Sequence, residues 1–399
     1  MSVPKLRFKE FSGDWEEKTL GATLSIFSGY AFSSADSQDD GVKWLKIADV
    51  GIQQMTPNNI SYLPIELKDK HSNFLVYKND YVIALTRPIL NGKLKIAKVD
   101  DFYDESLLNQ RVGKLITAHD IDFIYFLLQH KNTISHIADT ISGTDPPNLS
   151  LNAIKDICLI IPTNKIEQTK IANFLTAVDQ KISLLTKKAD LLSQYKKGVM
   201  QQIFKQELRF KDDDGQEFPE WEEKTLGDVS EINPKTGFLP KEFIYIDLES
   251  VEKGILLKET NIRQDEAPSR AQRFLKKEDI LFQMVRPYQG NNLFFDLIGD
   301  YVASTGYAQI RTMENPRFLY QYLHLENFTA EVINRCTGTS YPAINSSGLA
   351  SILITIPSLP EQTKIANFLT AIDEKITTNQ TQLNALKQYK QGLLQQMFV

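Results

Sequence analysis

Between Glu167 and Phe204 the apolar residues recur at alternating spacings of four and three: Ile171, Leu175, Val178, Ile182, Leu185, Ala189 and Leu192. This is a heptad seam, which predicts a long amphipathic helix and not a strand. No proline interrupts the stretch. Glu167 stands at the end where a helix dipole favours negative charge, and Lys187, Lys188, Lys196, Lys197 and Lys205 crowd towards the other end. Such a helix would be roughly 57 Å long at about 1.5 Å per residue. The seam returns between Glu361 and Phe398 as Ile365, Leu369, Ile372, Ile376, Leu383 and Leu386. Asn379 takes the place of Leu185, and a lone seam Asn can set register at some cost in stability. Pairing each residue with the one 194 positions later needs no gap, and 22 of the 38 pairs are identical, polar positions included. One amphipathic rod cannot bury its stripe alone, so the two rods are expected to bury their stripes on each other.

The remainder of the chain is duplicated more loosely. Leu6-Arg7-Phe8-Lys9 and Trp15-Glu16-Glu17-Lys18-Thr19-Leu20-Gly21 reappear as Leu208-Arg209-Phe210-Lys211 and Trp221-Glu222-Glu223-Lys224-Thr225-Leu226-Gly227. The lead-in that follows the first rod therefore also opens the chain, which predicts a circular, pseudo-two-fold layout. Four segments result: globular stretches at 1–164 and 206–358, and rods at 165–205 and 359–399. In the first globular stretch, period-two alternation predicts strands over Val42–Val50 and Asp80–Thr86, a helix over Phe123–Ala138 and a buried strand over Ile157–Ile161. In the second, strands are expected over Phe243–Leu248, Asp279–Val285 and Ile352–Ile356, and a helix over Phe318–Arg335. The two stretches share only anchors: Lys78-Asn79-Asp80 with Lys277-Glu278-Asp279, Arg87-Pro88 with Arg286-Pro287, and Gly143-Thr144-Asp145-Pro146-Pro147 with Gly338-Thr339-Ser340-Tyr341-Pro342. Similar rods joined to divergent globular parts suggest one scaffold that presents two different binding surfaces.

Composition narrows the class. The 399 residues, 42% hydrophobic and 24% charged, have the balance of a soluble protein of two or three domains. The N-terminus lacks the apolar core of a signal peptide, and Cys158 and Cys336 lie in different repeats, so a reducing, cytoplasmic setting is expected. Net charge is −5, which by itself argues against nucleic-acid binding. Its distribution is uneven: residues 165–205 carry 8 Lys/Arg against 3 Asp/Glu, whereas 206–358 carry 16 against 24. DNA contact would have to use local patches or borrow charge from a partner.

Catalytic signatures are weak. Asn91-Gly92-Lys93-Leu94 lacks the first glycine and the hydroxyl of a phosphate-cradling loop. The histidines at 71, 119, 130, 136 and 324 show no metal-ligand spacing and read as surface residues. Asp145-Pro146-Pro147-Asn148 resembles the Asp-Pro-Pro-aromatic signature of amino-methyltransferases but ends in Asn148, and it reads as a turn. Glu16-Glu17-Lys18 and Glu222-Glu223-Lys224 contain a nuclease-like Glu-x-Lys without the preceding Pro-Asp, which favours a structural role. No cofactor or metal site is expected in this chain. A stand-alone methyltransferase or nuclease, and a coiled-coil scaffold without DNA, are the rival readings.

The loops after the Arg-Pro anchors and the Gly-Thr turns instead hold groups suited to base edges and phosphates. The candidates are Arg87, Asn91, Lys93, Lys95, Thr144 and Asn148 in the first half. In the second half they are Gln283, Arg286, Tyr288, Gln289, Asn291, Asn292, Thr339, Ser340, Tyr341 and Asn345.

Taken together, the chain resembles the specificity subunit of type I restriction–modification enzymes. The resemblance rests on Ile-Pro, a short linker, Glu-Gln-Thr-Lys-Ile-Ala-Asn-Phe-Leu and the later Gln-Tyr-Lys-x-Gly-x-x-Gln-Gln, found within 161–202 and again within 356–396. The Gly-Thr-x-x-Pro turns and the Trp-Glu-Glu-Lys-Thr-Leu-Gly lead-ins also fit, so it covers essentially the whole chain. It implies an α+β fold: two similar α/β target-recognition domains separated by two long antiparallel coiled-coil helices. Each domain would read one half of a split, asymmetric site on double-stranded DNA. The helices would set the spacer and dock two modification subunits. It also implies that the chain is not itself an enzyme: S-adenosylmethionine, ATP and Mg would belong to the modification and restriction subunits.

Overall fold

The two seams become helices Lys165–Phe204 and Leu359–Met397, of 40 and 39 residues. The computed structural model describes residues 3–57, 60–141 and 146–399. They fall into two compact units, one of Met1–Thr186 with Thr381–Val399, the other of Lys187–Gln380. Each unit thus takes in the start of one helix and the end of the other. In the first unit Ile171, Leu175 and Val178 share a core with Leu393, Leu394, Met397 and Phe398. In the second, Val199, Met200 and Ile203 share a core with Ile365, Leu369 and Ile372. A start packed with an end means that the two helix segments within each unit run antiparallel. Along the seam Ile171, Leu175, Val178, Leu185, Ile365, Leu369, Ile372 and Leu383 are buried, and Asn379 with them. Ile182, Leu192, Ile376 and Leu386 are half-buried.

The repeated polar motifs have a structural cause. Arg7 donates from Nε and Nη2 to the two Glu167 carboxylate oxygens at 2.6 and 2.8 Å. Arg209 does the same to Glu361 at 3.2 and 2.8 Å. Both carboxylates are buried, and a buried charge is tolerated only when it is paired and hydrogen-bonded. The next residue clamps the strand before the helix: Gln168 Nε2 donates to Pro162 O and Gln362 Nε2 to Pro357 O, each at 2.9 Å. Their Oε1 atoms accept from the backbone N–H of Asp120 and of Asn315. Lys170 and Lys364 then hold Glu10 and Asp213 of the lead-ins. The circular layout shows in one bond made twice: Leu208 N donates to Gln202 O at 3.1 Å along the chain, and Leu6 N to Gln396 O at 2.8 Å between its two ends.

Both units are built on the same sheets. Trp15–Thr19 pairs antiparallel with Cys158–Pro162, and Glu222–Thr225 with Leu353–Ile356. The Glu-x-Lys triplets lie on these edge pairs as Lys18–Glu16 and Lys224–Glu222 ion pairs. A four-stranded antiparallel sheet follows, in the order Ser25–Ser28, Val112–Ile116, Tyr81–Ala84, Ile96–Lys98. Its counterpart runs Ser230–Ile232, Tyr307–Thr312, Ile280–Gln283, Leu293–Phe294. A second four-stranded sheet in each unit is mixed, with Val42–Leu45 parallel to Ser106–Leu108 and Glu242–Ile246 parallel to Tyr301–Ser304.

Three expectations are corrected. The strand expected over Val42–Val50 ends at Leu45, because Asp49 accepts the Lys46 N–H and closes a helical turn at Ile47–Asp49. The helices expected over Phe123–Ala138 and Phe318–Arg335 are each two: Ile121–Leu128 with Lys131–Asp139, and Pro316–Tyr322 with Glu326–Asn334. The breaks are at His130 and Leu325, both extended, with ψ of 137° and 142°. Phe123–Leu128 is buried on every face, which an uninterrupted surface helix could not satisfy. His130 is buried, not on the surface as its spacing suggested, and its ring faces Phe398. Among the described residues no helix is long and apolar enough to cross a membrane.

Candidate nucleic-acid interface

The shared anchors meet in space. Arg87 and Arg286 both adopt the left-handed backbone conformation, at φ 47° and 53°. Each precedes a proline, which disfavours the right-handed helical region. The Arg87 N–H donates to Pro147 O and the Arg286 N–H to Pro342 O, both at 2.8 Å. Beside them Thr86 bridges Asn148, and Val285 bridges Ala343. The Arg-Pro turn and the proline end of the Gly-Thr turn, far apart in sequence, thus form one joint in each unit. Gly338, at φ 90°, supplies a left-handed conformation in the second Gly-Thr turn, which a β-carbon would strain. A second duplicated turn lies below: Asn79 and Glu278 are left-handed, and Asp80 and Asp279 accept the N–H of Tyr77 and Lys276.

On this joint the units differ. In the second, the Arg286 guanidinium lies 4.2 Å from the centre of the Tyr341 ring, a cation–π stack. Tyr341 is 64% exposed and Tyr288 55%. Gln289, Thr339 and Ser340 are exposed around them. In the first, Arg87, Asn91 and Lys93 are exposed and Asn148 accepts the Thr86 hydroxyl at 2.6 Å. Thr144, with Gly143 and Asp145, lies outside the described residues.

Five candidates serve the frame instead. Gln283 is buried: its Nε2 donates to Val285 O and Gln289 Oε1, and its Oε1 accepts the Asn291 N–H. Asn292 is buried, with its Oδ1 accepting the Gln283 N–H at 2.9 Å. Both point inwards, which corrects their assignment as base readers. Lys95 is half-buried and donates to Ile47 O at 3.1 Å, and burial holds its amine below the ordinary lysine range. Asn345 caps the helix Ser346–Ala350, accepting the Gly348 N–H at 2.7 Å. Asn291 accepts the Lys253 N–H and is half-buried. A hydrophilic loop residue looks the same in sequence whether it points in or out, and only the packing separates the two cases.

The exposed set is cationic, amide and aromatic, the chemistry that contacts phosphates, base edges and base faces. A family model described as the type I restriction modification DNA specificity domain matches residues 12–194 and 219–388. The chain is 30% identical over 213 residues to the type I restriction enzyme MjaVIII specificity subunit of Methanocaldococcus jannaschii, covering 53% of this chain and 50% of that one. It is 32% identical over 192 residues to the HindI specificity subunit of Haemophilus influenzae, covering 45% of this chain and 41% of that one. These alignments span about half the length of the two relatives or less. A solved S subunit of a type I restriction-modification system from M. genitalium shares the fold, with a TM-score of 0.68 at 16% identity over 100% of this chain and 99% of that one. With both of its repeats matched, the chain belongs to the type I restriction modification DNA specificity family.

Proposed function

We propose that this chain is the DNA-recognition subunit of a type I restriction–modification complex, with each unit reading one half of a bipartite, asymmetric site. One observation carries the reading: the same Arg-to-Pro joint occurs in both units, at the same 2.8 Å, beneath different exposed side chains. A repeated frame under divergent surfaces suits two half-sites of unlike sequence. Arg286 is the residue best placed to contact guanine or phosphate in the second half-site, and Arg87 in the first. The two helices act as a ruler for the spacer and as the docking face for two modification subunits. The chain itself supplies no catalysis. S-adenosylmethionine, ATP and Mg belong to the modification and restriction subunits.

The deciding experiment is the sequencing of methylated adenines in a host that carries this chain with its modification subunits. The expected motif has two unlike halves around a spacer of fixed length. Removing one heptad from both helices shortens each by about 10.5 Å, roughly three base-pair steps, and should change the spacer alone. A single unbroken motif, or half-sites that change while the spacer stays, would reject the reading.

A further inference from the structure

The first unit holds a cavity of about 470 Å³. It lies where the hairpin Ile89–Leu90 with Lys93–Leu94, the start of the helix Lys131–Asp139 and the end of the second long helix come together. Its lining includes four lysines, Lys93, Lys131, Lys387 and Lys390, with the amides of Gln53 and Gln129, and no carboxylate. Lys390 is 5% exposed and reaches out of the lining to Asp179 at 2.6 Å. Lys93, Lys131 and Lys387 are exposed and form no ion pair among the described residues. The local balance is therefore four positive charges against one negative.

One further feature raises the positive potential. Lys131 is the first residue of a nine-residue helix whose N-cap, His130, makes no side-chain capping bond, so the positive end of the dipole is left to the cavity. Like charges gathered from three separate elements cost free energy in the empty protein, and a bound anion recovers it. Lysines act as point charges and commonly bind phosphate, and several converging on one cavity suit an anion with more than one negative charge.

The second unit lacks this feature. At the position of Lys131 it carries Glu326, which pairs with Lys197 at 2.6 Å, and at the position of Lys387 it carries Ser193. The lysine cluster belongs to one unit, although the frame belongs to both.

We infer that this cavity is a phosphate site, filled by the DNA backbone beside the half-site that the first unit reads. The DNA source rests on the function proposed above; the phosphate chemistry does not. The test is the full-length triple variant K93Q/K131Q/K387Q, which spares the buried Lys390. Its duplex affinity, measured against salt in complex with the modification subunits, should show a log–log slope lower by about 0.9 for each phosphate that is no longer neutralised, up to about 2.7, and should weaken equally on cognate and scrambled duplexes. In a second arm, inorganic pyrophosphate should raise the melting temperature of the wild type more than that of the variant. An unchanged slope with a lost pyrophosphate effect would keep the phosphate site and overturn DNA as its source. An unchanged slope and an unchanged pyrophosphate effect would overturn the site itself. Should the wild type bind no duplex even together with its modification subunits, the DNA reading falls, and the pyrophosphate arm still decides the cavity.

Discussion

The two units were built from one plan and have parted unequally. The bonds that hold a unit to its helices are repeated almost atom for atom: Arg7–Glu167 and Arg209–Glu361, Gln168–Pro162 and Gln362–Pro357. The ion pair between the helices is repeated as well, as Lys390–Asp179 and Lys196–Asp373, both at 2.6 Å. Its setting is not. The side chain of Lys390 is 6% exposed, and that of Lys196 is 20% exposed. Asp373 also accepts from Gln321, whereas Lys390 lies near the Phe126 ring. Duplication has kept the bonds that fix distance and register, and released the side chains around them.

The comparison can be broken in order of effect. Removing a buried carboxylate that holds an arginine, by Glu167→Ala or Glu361→Ala, should cost about 3 kcal/mol in either unit. Urea unfolding of the two variants measures it, and a cost confined to one unit would end the equivalence of the clasps. The ion pairs should then separate the units. Lys390→Met leaves Asp179 largely buried and unpaired and should cost about 3 kcal/mol, whereas Lys196→Met should cost about 1 kcal/mol because water reaches the pair. The double variant K390M/D179L should regain most of the loss, since burial pushes the Lys390 amine down and the Asp179 carboxyl up, each towards neutrality. Equal costs at 390 and 196 would show that the difference in burial has no energetic weight.

At the joint, if each unit reads one half-site as proposed, Arg286→Ala should relax discrimination by about 10–100-fold, roughly 1–3 kcal/mol, in the second unit's half only. Tyr341→Ala should do the same more weakly, by freeing the guanidinium from its stack. Methylation mapping that left both half-sites intact in both variants would remove the joint from recognition.

The smallest effect is a matter of pH. Burial lowers the pKa of His130, so its folded value lies below the unfolded value of about 6.5. The unfolded chain then binds the extra proton first. Stability from this residue is complete above about pH 6.5 and is lost as pH falls below it, at about 1.4 kcal/mol for each tenfold difference in proton affinity between the two states. His130→Leu should flatten the fall in melting temperature between pH 7 and pH 5; an unaltered fall would show that other groups govern it. Nature has made the control: the corresponding cap in the second unit is Leu325.

Much of this was legible in the chain. The heptad seam and its gapless repeat predicted both helices to within two residues at each end, because a period of 3.5 is a local property. The anchors Arg87-Pro88 and Arg286-Pro287 marked the right turns, because proline limits its neighbour wherever it stands. The reason for Glu-Gln-Thr-Lys was not legible: Glu167 answers to Arg7, 160 residues away. Nor was the inward turn of Gln283 and Asn292, or the break at His130. Lys131 and Lys387 had no motif to mark them, Lys390 was marked only as the lysine of the repeated Gln-Tyr-Lys-x-Gly motif, and only charge summed over folded surfaces would have gathered them with Lys93.

Periodicity, repeat spacing and turn chemistry are written in neighbouring residues, and they determined two helices, two similar units and a circular order. Which side chains face outwards, and which cations share one cavity, depends on residues far apart in sequence, as when Lys390 reaches Gln53 across 337 positions. Burial and electrostatic potential are sums over everything nearby in space, so only the tertiary structure could decide them.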